Sequence, residues 1–212
     1  MPFAADDEVA ALVGLLQRGQ ERGLVGPGPV EPHLSSARGF AEAADGFQEG
    51  PLLDLGSGAG LPGLVLAVVW PASRWFLVDG SRRSTDFLLE AVQELGLADR
   101  VSVITAWAEE AARDPALRSE CGMVVVRSLG PPAVTAECAA GFLAVGGHLV
   151  VSEPPDGGGD RWPPAGLALL GQRLVRRVAS LSGHHFAVIE QVTAAPDRYP
   201  RRTGVPARRL LF

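Results

Sequence analysis

Short apolar runs alternate with stretches of helical periodicity along most of the chain. The apolar runs, each about as long as one buried strand, cover residues 51–55, 74–79, 101–105, 122–127 and 147–152. The helical stretches between them cover residues 62–70, 84–96 and 133–144. Because parallel strands need crossover connections and are buried on both faces, this alternation predicts β-α-β units that form a parallel sheet.

Near the carboxyl end the pattern changes to two apolar runs joined by a turn. Residues 174–181 and 185–192 flank Ser182-Gly183-His184, and this arrangement predicts an antiparallel hairpin. We therefore expect an α/β fold in which a mostly parallel seven-stranded sheet carries an antiparallel C-terminal hairpin and has helices on both faces.

Two further helices are predicted ahead of the sheet. Apolar positions at helical spacing predict a first helix over residues 7–22, and a second is expected over residues 33–44 after a loop rich in Gly and Pro. A length of 212 residues suits one full α/β domain with small additions. We expect this domain at residues 50–195, with a helical extension at 1–49 and an Arg-rich tail at 196–212 packed on the same domain.

Composition and the amino end restrict the class of protein. Hydrophobic residues make up 47% of the chain and charged residues 20%, which is the ordinary range for a globular protein with a buried core. The amino end carries acid and lacks the apolar segment of a signal peptide, so we expect a cytoplasmic protein with no membrane partner. Cys121 and Cys138 have no companion at metal-ligand spacing, so we expect core packing and no metal site.

The loop after the first strand, Asp54-Leu-Gly-Ser-Gly-Ala-Gly-Leu-Pro-Gly, fits two cofactor motifs. Gly58, Gly60 and Gly63 fit the G-x-G-x-x-G of a dinucleotide site, which would make the protein an NAD-dependent oxidoreductase. Asp54, Gly56, Gly58 and Gly60 fit the D-x-G-x-G-x-G that surrounds the methionine end of S-adenosylmethionine. A carboxylate would repel a pyrophosphate but can support an ammonium group, so Asp54 favours the second motif. Gly63 is then a close-packing residue at the start of a helix.

The sheet and a second carboxylate bear on the same choice. Five parallel strands followed by a hairpin are typical of methyltransferases, whereas a dinucleotide fold normally continues with another parallel crossover. Asp79 ends the second predicted strand, 19 residues after Gly60, where an acid can accept hydrogen bonds from ribose hydroxyls. Both cofactors contain such a ribose, so Asp79 does not distinguish between them.

Two separated motifs carry a resemblance to a known family. The run DLGSGAGLPGLVLAV at residues 54–68 resembles the cofactor motif of the small-subunit ribosomal RNA methyltransferase G family, also called glucose-inhibited division protein B. The run YPRRTGVPARR at residues 199–209 is similar to the family's Tyr-Pro-Arg-(Arg/Lys)-x-Gly-x-Pro tail. The resemblance covers roughly residues 50–212 and is weaker at the amino end.

The resemblance implies a Rossmann-like class I methyltransferase that uses S-adenosylmethionine. It further implies methyl transfer to N7 of a guanosine in the 530 loop of 16S rRNA. The expected partners are therefore 16S rRNA or the small ribosomal subunit, and the protein itself is expected to be a monomer.

The resemblance and the motif together name the expected cofactor residues: Asp54, Gly56, Gly58, Gly60, Leu61, Asp79, Ala108, Glu109 and Arg127. Ala108 and Glu109 match the family's Arg-Ala-Glu segment near the adenine, and Arg127 matches the arginine of its Ser-Arg-Ala. Guanine N7 has a free lone pair and no proton, so methyl transfer to it depends on positioning and on charge stabilisation. Arg127, at the carboxyl end of a central strand, is the first candidate for a catalytic contact to the base. The alternative is an ordinary ion-paired arginine that closes a strand.

The carboxyl-terminal tail is the most basic part of the chain. Between residues 198 and 209 it holds no acid and five arginines, a local charge of +5: Arg198, Arg201, Arg202, Arg208 and Arg209. We expect the interleaved Pro and Gly to keep this segment extended, with its arginines placed to bind rRNA phosphates. A solvated charged face is the alternative.

Two positions and one amino-terminal segment depart from the family's pattern. Trp107 stands where the family has the arginine of Arg-Ala-Glu, and Glu153 stands where it usually has the lysine of Met-Lys-Gly. The family's His-x-x-Asp-Ser is reduced to the residues at 33–36. Since an acid in place of a base reverses the local field beside a phosphate-rich substrate, two alternatives stay open. One is a diverged methyltransferase of another RNA or of a small molecule, and the other is a non-catalytic RNA-binding relative.

Overall fold

A seven-stranded sheet organises the chain in the computed structural model, which describes residues 5–155 and 160–212. The strands are β1 (Pro51–Leu55), β2 (Arg74–Asp79), β3 (Val101–Thr105), β4 (Cys121–Val126), β5 (Leu143–Glu153), β6 (Gln172–Ala179) and β7 (His185–Gln191). Their order is β3-β2-β1-β4-β5-β7-β6. β1 to β5 pair in parallel, and β7 runs antiparallel to both β5 and β6. The predicted mostly parallel sheet with its C-terminal hairpin is confirmed.

The helices lie on both faces of this sheet. They are α1 (Asp6–Glu21), α2 (Glu31–Ala43), α3 (Gly63–Val69), α4 (Arg82–Glu94), α5 (Ala108–Ala111), α6 (Pro132–Ala140), α7 (Pro164–Ala168) and α8 (Val205–Arg208). The predicted helix over 133–144 ends early because β5 begins at Leu143, four residues before the predicted strand. The three shortest helices were not predicted. Within 5–155 and 160–212, no helix is both long enough and apolar enough to cross a bilayer.

Each central strand contributes side chains to two separate cores. Met123 and Val125 of β4 pack with α3 and α4 on one face, whereas Val124 and Val126 pack with α6 on the other. Successive side chains of a strand point to opposite faces, so a strand covered on both sides is apolar throughout. The two cysteines are buried on the α6 side, as predicted.

The helices α1 and α2 belong to the same core as the sheet. Leu15 of α1 and Phe40 of α2 lie in the cluster that covers β1 and β2, and the Phe40 ring meets the Phe186 ring edge-on, with 4.7 Å between centroids. The residues from Asp6 to Ala43 therefore cover one face of the sheet. The boundary placed at residue 49 stays a prediction.

The carboxyl-terminal tail folds back on α6, and the prediction of an extended tail is wrong. Glu137 of α6 is fully buried, and it accepts hydrogen bonds from the Arg201 backbone N–H at 2.8 Å, from Nε at 2.8 Å and from Nη2 at 2.6 Å. A buried carboxylate needs such compensation, because burying an unpaired charge is costly. Beyond Gly204 the tail turns into the short helix α8.

Candidate active site

The loop after β1 depends on three glycines with left-handed backbone angles. The φ angles are +76° at Gly56, +55° at Gly58 and +85° at Gly60, a region that residues with side chains rarely adopt. A Cβ on Gly56 would lie 2.8 Å from Leu129 Cδ1, and one on Gly60 would lie 2.3 Å from Leu64 Cδ1. Conformation therefore requires glycine at all three positions, and space also requires it at Gly56 and Gly60.

Gly63 lets α3 begin directly against Asp54. The Gly63 N–H donates a 2.9 Å hydrogen bond to Oδ2 of Asp54, and a Cβ on Gly63 would lie 2.5 Å from the Asp54 Cβ. Gly63 is thus the close-packing residue that the second motif predicts. The third glycine of a G-x-G-x-x-G motif packs in the same way, so this contact alone does not distinguish the two motifs.

Asp54 is a fully buried carboxyl with only part of its hydrogen-bonding capacity used. Its Oδ1 has no hydrogen-bond partner among the described residues. Burial raises the pKa of Asp54 to about 7, against the opposing effects of the Gly63 hydrogen bond and the Arg127 charge. This carboxyl is consequently poised to change charge near neutral pH.

Asp79 is held in place by two backbone N–H groups. Gly58 donates to Oδ2 at 2.8 Å, and Ser81 donates to Oδ1 at 2.8 Å. Each carboxylate oxygen keeps a further lone pair, so Asp79 can still accept hydrogen bonds from a ligand's hydroxyls. The Gly58 contact also links the glycine loop to the end of β2.

A cavity of about 640 Å³ opens at the carboxyl ends of the first strands. Its lining comes from the ends of β1, β2 and β3, from α6 and from the tail: Leu55, Gly56, Val78, Asp79, Gly80, Ser81, Ala106, Trp107, Ala108, Glu109, Leu129, Val134, Cys138, Thr203, Gly204, Ala207 and Arg208. Most of these side chains are apolar, and a few polar groups converge among them, as in small-molecule sites. We call this space the cofactor cavity.

Trp107 forms one wall of the cofactor cavity. Its side chain is 59% exposed, although it stands close to Gly80, where a Cβ would lie 3.0 Å from the indole ring. The departure from the family's arginine therefore places an aromatic face beside the cavity. Such a face can stack on a nucleobase.

The tail supplies another wall. The Gly204 N–H donates to Glu109 Oε1 at 2.9 Å, and the Thr203 hydroxyl donates to Glu110 Oε1 at 3.1 Å. Sequence reasoning assigned this segment to RNA binding and missed its place at the cavity. No local pattern indicated it, because its partners lie about 95 residues earlier in the chain.

The predicted cofactor residues do not all lie at the cavity. Gly56, Asp79, Ala108 and Glu109 line the cofactor cavity. Gly58 and Gly60 belong to the loop that carries Gly56, Gly58 also donates a hydrogen bond to Asp79, and Asp54 of β1 holds the start of α3 through Gly63. Leu61 packs among side chains of α1 and α2, including Leu12 and Leu16, so its predicted cofactor contact stays a prediction.

Arg127 follows β4 and connects the glycine loop with α2. Its Nη2 lies 3.0 Å from Nδ1 of His33, and its charge interacts with Asp54. Burial lowers the pKa of Arg127, and the Asp54 charge opposes this effect. Arg127 is not among the described residues that line the cofactor cavity. Its contact with the target base stays a prediction.

The arginines of the tail do not act alike in the structure. Arg201 pairs with Glu137, and the Arg198 guanidinium lies 5.0 Å from the Tyr199 ring centroid. Arg198, Arg202, Arg208 and Arg209 are exposed. Arg201 therefore anchors the tail, and the other four remain candidates for RNA contact.

A sheet in the order 3-2-1-4-5-7-6, a glycine loop after β1, an acid at the end of β2 and a cavity at the same edge together define a class I, S-adenosylmethionine-dependent methyltransferase. An RNA methyltransferase from Salinibacter ruber, solved with S-adenosyl-L-homocysteine, has a similar fold. It aligns with a TM-score of 0.55 at 22% identity and covers 81% of this chain and 97% of that one.

The sequence comparisons identify the family. The model of rRNA small subunit methyltransferase G (GidB) matches residues 14–153. Ribosomal RNA small subunit methyltransferase G of Rubrobacter xylanophilus is 34% identical, covering 76% of this chain and 65% of its own length. The Dehalococcoides mccartyi (strain CBDB1) protein of the same description is 33% identical, covering 74% and 69%. The chain belongs to the rRNA small subunit methyltransferase G family.

Family membership confirms the prediction of an S-adenosylmethionine-dependent rRNA methyltransferase and rules out the NAD-dependent oxidoreductase. The family match begins at residue 14, within α1. It therefore extends further toward the amino end than the resemblance at residues 50–212 indicated.

Proposed function

We propose that this protein transfers the methyl group of S-adenosylmethionine to N7 of a guanosine in the 530 loop of 16S rRNA. The observation that carries the proposal is the cofactor cavity, which joins the glycine loop, Asp79 and Trp107 at the carboxyl edge of a sheet from this family. Parallel α/β sheets bind their ligands at that edge.

The residues of the cavity fit the parts of the cofactor. Asp79 would accept hydrogen bonds from the ribose hydroxyls, and Trp107 with Ala108 would enclose the adenine. Gly56, which has no side chain in the way, would allow the methionine portion to approach the backbone. When bound, the cofactor supplies an electrophilic methyl group.

The chemistry at N7 needs no proton acceptor from the protein. N7 of guanine attacks with its own lone pair, so the contribution of the chain is to orient the base and to exclude water. Arg127 remains our candidate for the contact that orients the base or stabilises charge on it, since it precedes Ser128, which lines a second cavity. A cytoplasmic monomer that meets 16S rRNA or the small subunit completes the proposal.

Four exposed arginines would hold the rRNA backbone. Arg198, Arg202, Arg208 and Arg209 lie on the tail that also closes the cofactor cavity. Phosphate binding there would bring the RNA to the edge of the cavity where the methyl group is transferred.

Methyl transfer from labelled S-adenosylmethionine to unmethylated small subunits and to free 16S rRNA tests the proposal. We expect label in rRNA on at least one of the two, and nuclease mapping should place it in the 530 loop. Label on another RNA would favour the diverged methyltransferase. An absence of label, together with no measurable affinity for S-adenosylhomocysteine by calorimetry, would favour the non-catalytic RNA-binding relative.

A further inference from the structure

A second cavity of about 290 Å³ adjoins the cofactor cavity. Both cavities share Leu129, and the second is lined by the segments after β4 and at the end of β5, including Ser128, Ser152 and Glu153. Its volume is at the lower end of the range for ligand pockets, which suits a single base better than a whole nucleotide.

Glu153 is the acid of this second cavity, and it is only partly compensated. Its side chain is 2% exposed, and Oε1 accepts one hydrogen bond from Arg161 Nε at 3.2 Å. The other oxygen, Oε2, has no hydrogen-bond partner among the described residues. A buried carboxylate oxygen without a hydrogen-bond partner destabilises the folded protein. Its presence is explained if a ligand donates a hydrogen bond to it.

The sheet order sets the direction from the cofactor to Glu153. The cofactor cavity lies over β1, β2 and β3 and reaches Leu129 after β4, whereas Glu153 ends β5, one strand further. Neighbouring strands are about 4.8 Å apart. The Watson–Crick edge of a purine lies to the side of N7, across the six-membered ring, so a purine in the second cavity can turn N7 toward the cofactor and its Watson–Crick edge toward Glu153 at the end of β5.

We propose that Glu153 recognises the target guanine by accepting hydrogen bonds from its N1–H and 2-amino groups, and this inference rests on the proposed function. A carboxylate can accept both donors at once, one on each oxygen. Adenine presents an acceptor at N1 and a hydrogen on carbon at C2, so the same carboxylate disfavours it. Glu153 would therefore select guanine over adenine.

Arg161 releases Glu153 when the base binds. Its contact of 3.2 Å is longer than the usual 2.7–2.9 Å of a charge-assisted hydrogen bond, and its side chain is 30% exposed. The guanidinium can therefore turn toward solvent or toward a neighbouring phosphate while the base donors replace it. The carboxylate stays compensated throughout the exchange.

Replacing the target guanosine by inosine, which lacks the 2-amino group, tests the proposal without changing the protein. Small subunits reconstituted with guanosine or inosine at the target position serve as substrates. We expect inosine to lower kcat/KM of the unchanged enzyme about tenfold, the usual scale for one lost charge-assisted hydrogen bond. Equal rates on the two substrates would overturn the proposal.

Glu153→Gln should lower kcat/KM on guanosine about tenfold or more and should shrink the inosine penalty to about twofold, because the contact is already lost. Glu190→Gln is the matched control, since Glu190 also forms a salt bridge with an arginine, Arg173 on the neighbouring strand. It should keep the guanosine rate and the full inosine penalty. Affinity for S-adenosylhomocysteine should be the same in both variants and in the unchanged enzyme.

The outcomes separate this proposal from the proposed function. A full inosine penalty in Glu153→Gln would overturn the role of Glu153 while methyl transfer itself stands. No transfer to guanosine by the unchanged enzyme would overturn the proposed function, and the role of Glu153 with it.

Discussion

The Glu109 carboxylate accepts a 2.9 Å hydrogen bond from the Gly204 backbone N–H, and through this contact the carboxyl-terminal tail closes the cofactor cavity. Thr203 and Gly204 of the tail meet Glu110 and Glu109 of α5, and the exposed Arg202 and Arg208 lie beside them on the same segment. If these arginines bind rRNA as proposed, one short segment takes part in both cofactor and RNA binding, which suits an enzyme that must hold both substrates at a single edge of its sheet.

Trp107→Ala should weaken cofactor binding without unfolding the protein. The indole is 59% exposed, so its removal leaves little unfilled space in the core, but it takes one wall from the cavity. We expect the affinity for S-adenosylhomocysteine to fall about tenfold, the scale of one lost stacking contact. Calorimetric titration measures this loss. Leu181→Ala, at a 98% exposed side chain in the hairpin turn, should leave the affinity unchanged.

Arg201→Ala should destabilise the fold strongly. It would leave Glu137 buried without its partner, and breaking a buried pair from one side costs roughly 3–5 kcal/mol. Denaturant unfolding followed by circular dichroism measures the loss. Arg202→Ala, at the exposed neighbour, should cost less than about 0.5 kcal/mol. Equal stabilities for the two variants would show that Arg201 is not an anchor.

Much of the sheet could be predicted from the sequence because its strands are buried on both faces. The apolar runs at 51–55, 74–79 and 101–105 match β1, β2 and β3 at both ends. The strand β5 is longer than predicted at its amino end, where Gly146 and Gly147 interrupt the apolar run. The hydrophobic pattern therefore locates a strand that is buried on both faces. It misses the start of β5, which is a strand because it pairs with β4.

The contacts that finish the site could not be predicted, because they join residues far apart in the chain. Glu137 lies in an alanine-rich helix, and its partner Arg201 follows 64 residues later, within a cluster of arginines that looks uniformly solvated. Counting charge in the tail could not separate its anchor from its exposed members. Likewise, Glu153 showed only a departure from a family pattern until the structure placed it in a cavity with Arg161.

Asp54→Asn should change how stability depends on pH. Burial raises the Asp54 pKa from 3.8 to about 7 in the folded protein, so the folded state holds this proton more tightly than the unfolded state does. Stability from this group is therefore fully present below about pH 4, is lost as pH rises toward 7, and changes no further above that. Asparagine does not titrate, so the Asp54→Asn variant should not lose stability in this way as the pH rises.

Urea unfolding of both proteins between pH 4 and 8 measures the effect. We expect the difference in unfolding free energy to move in favour of Asp54→Asn by on the order of 3 kcal/mol across this window. Asp45→Asn, at an exposed site, serves as the matched control for the loss of one carboxylate. A curve for Asp54→Asn parallel to that of the unchanged protein would show that Asp54 stays ionised in the fold.

Arg202→Gln/Arg209→Gln should weaken rRNA binding and reduce its dependence on salt. A variant that contacts fewer phosphates displaces fewer counterions from the RNA when it binds. The slope of log K against log salt should therefore become shallower by roughly 1–2. Filter binding of 16S rRNA at several salt concentrations measures it. Arg74→Gln/Arg177→Gln removes the same charge from exposed positions at the start of β2 and on the edge strand β6, and should leave the slope unchanged.

Methyl transfer to guanine N7 in the 530 loop can be detected by chemical cleavage of the rRNA. Unmethylated small subunits are incubated with the protein and S-adenosylmethionine, and the rRNA is then treated with borohydride and aniline, which cut the chain at 7-methylguanosine. We expect one new cut, within the 530 loop, that requires both the protein and the cofactor. Cofactor-dependent methyl incorporation with no cut there, or a cut at another site, would contradict it.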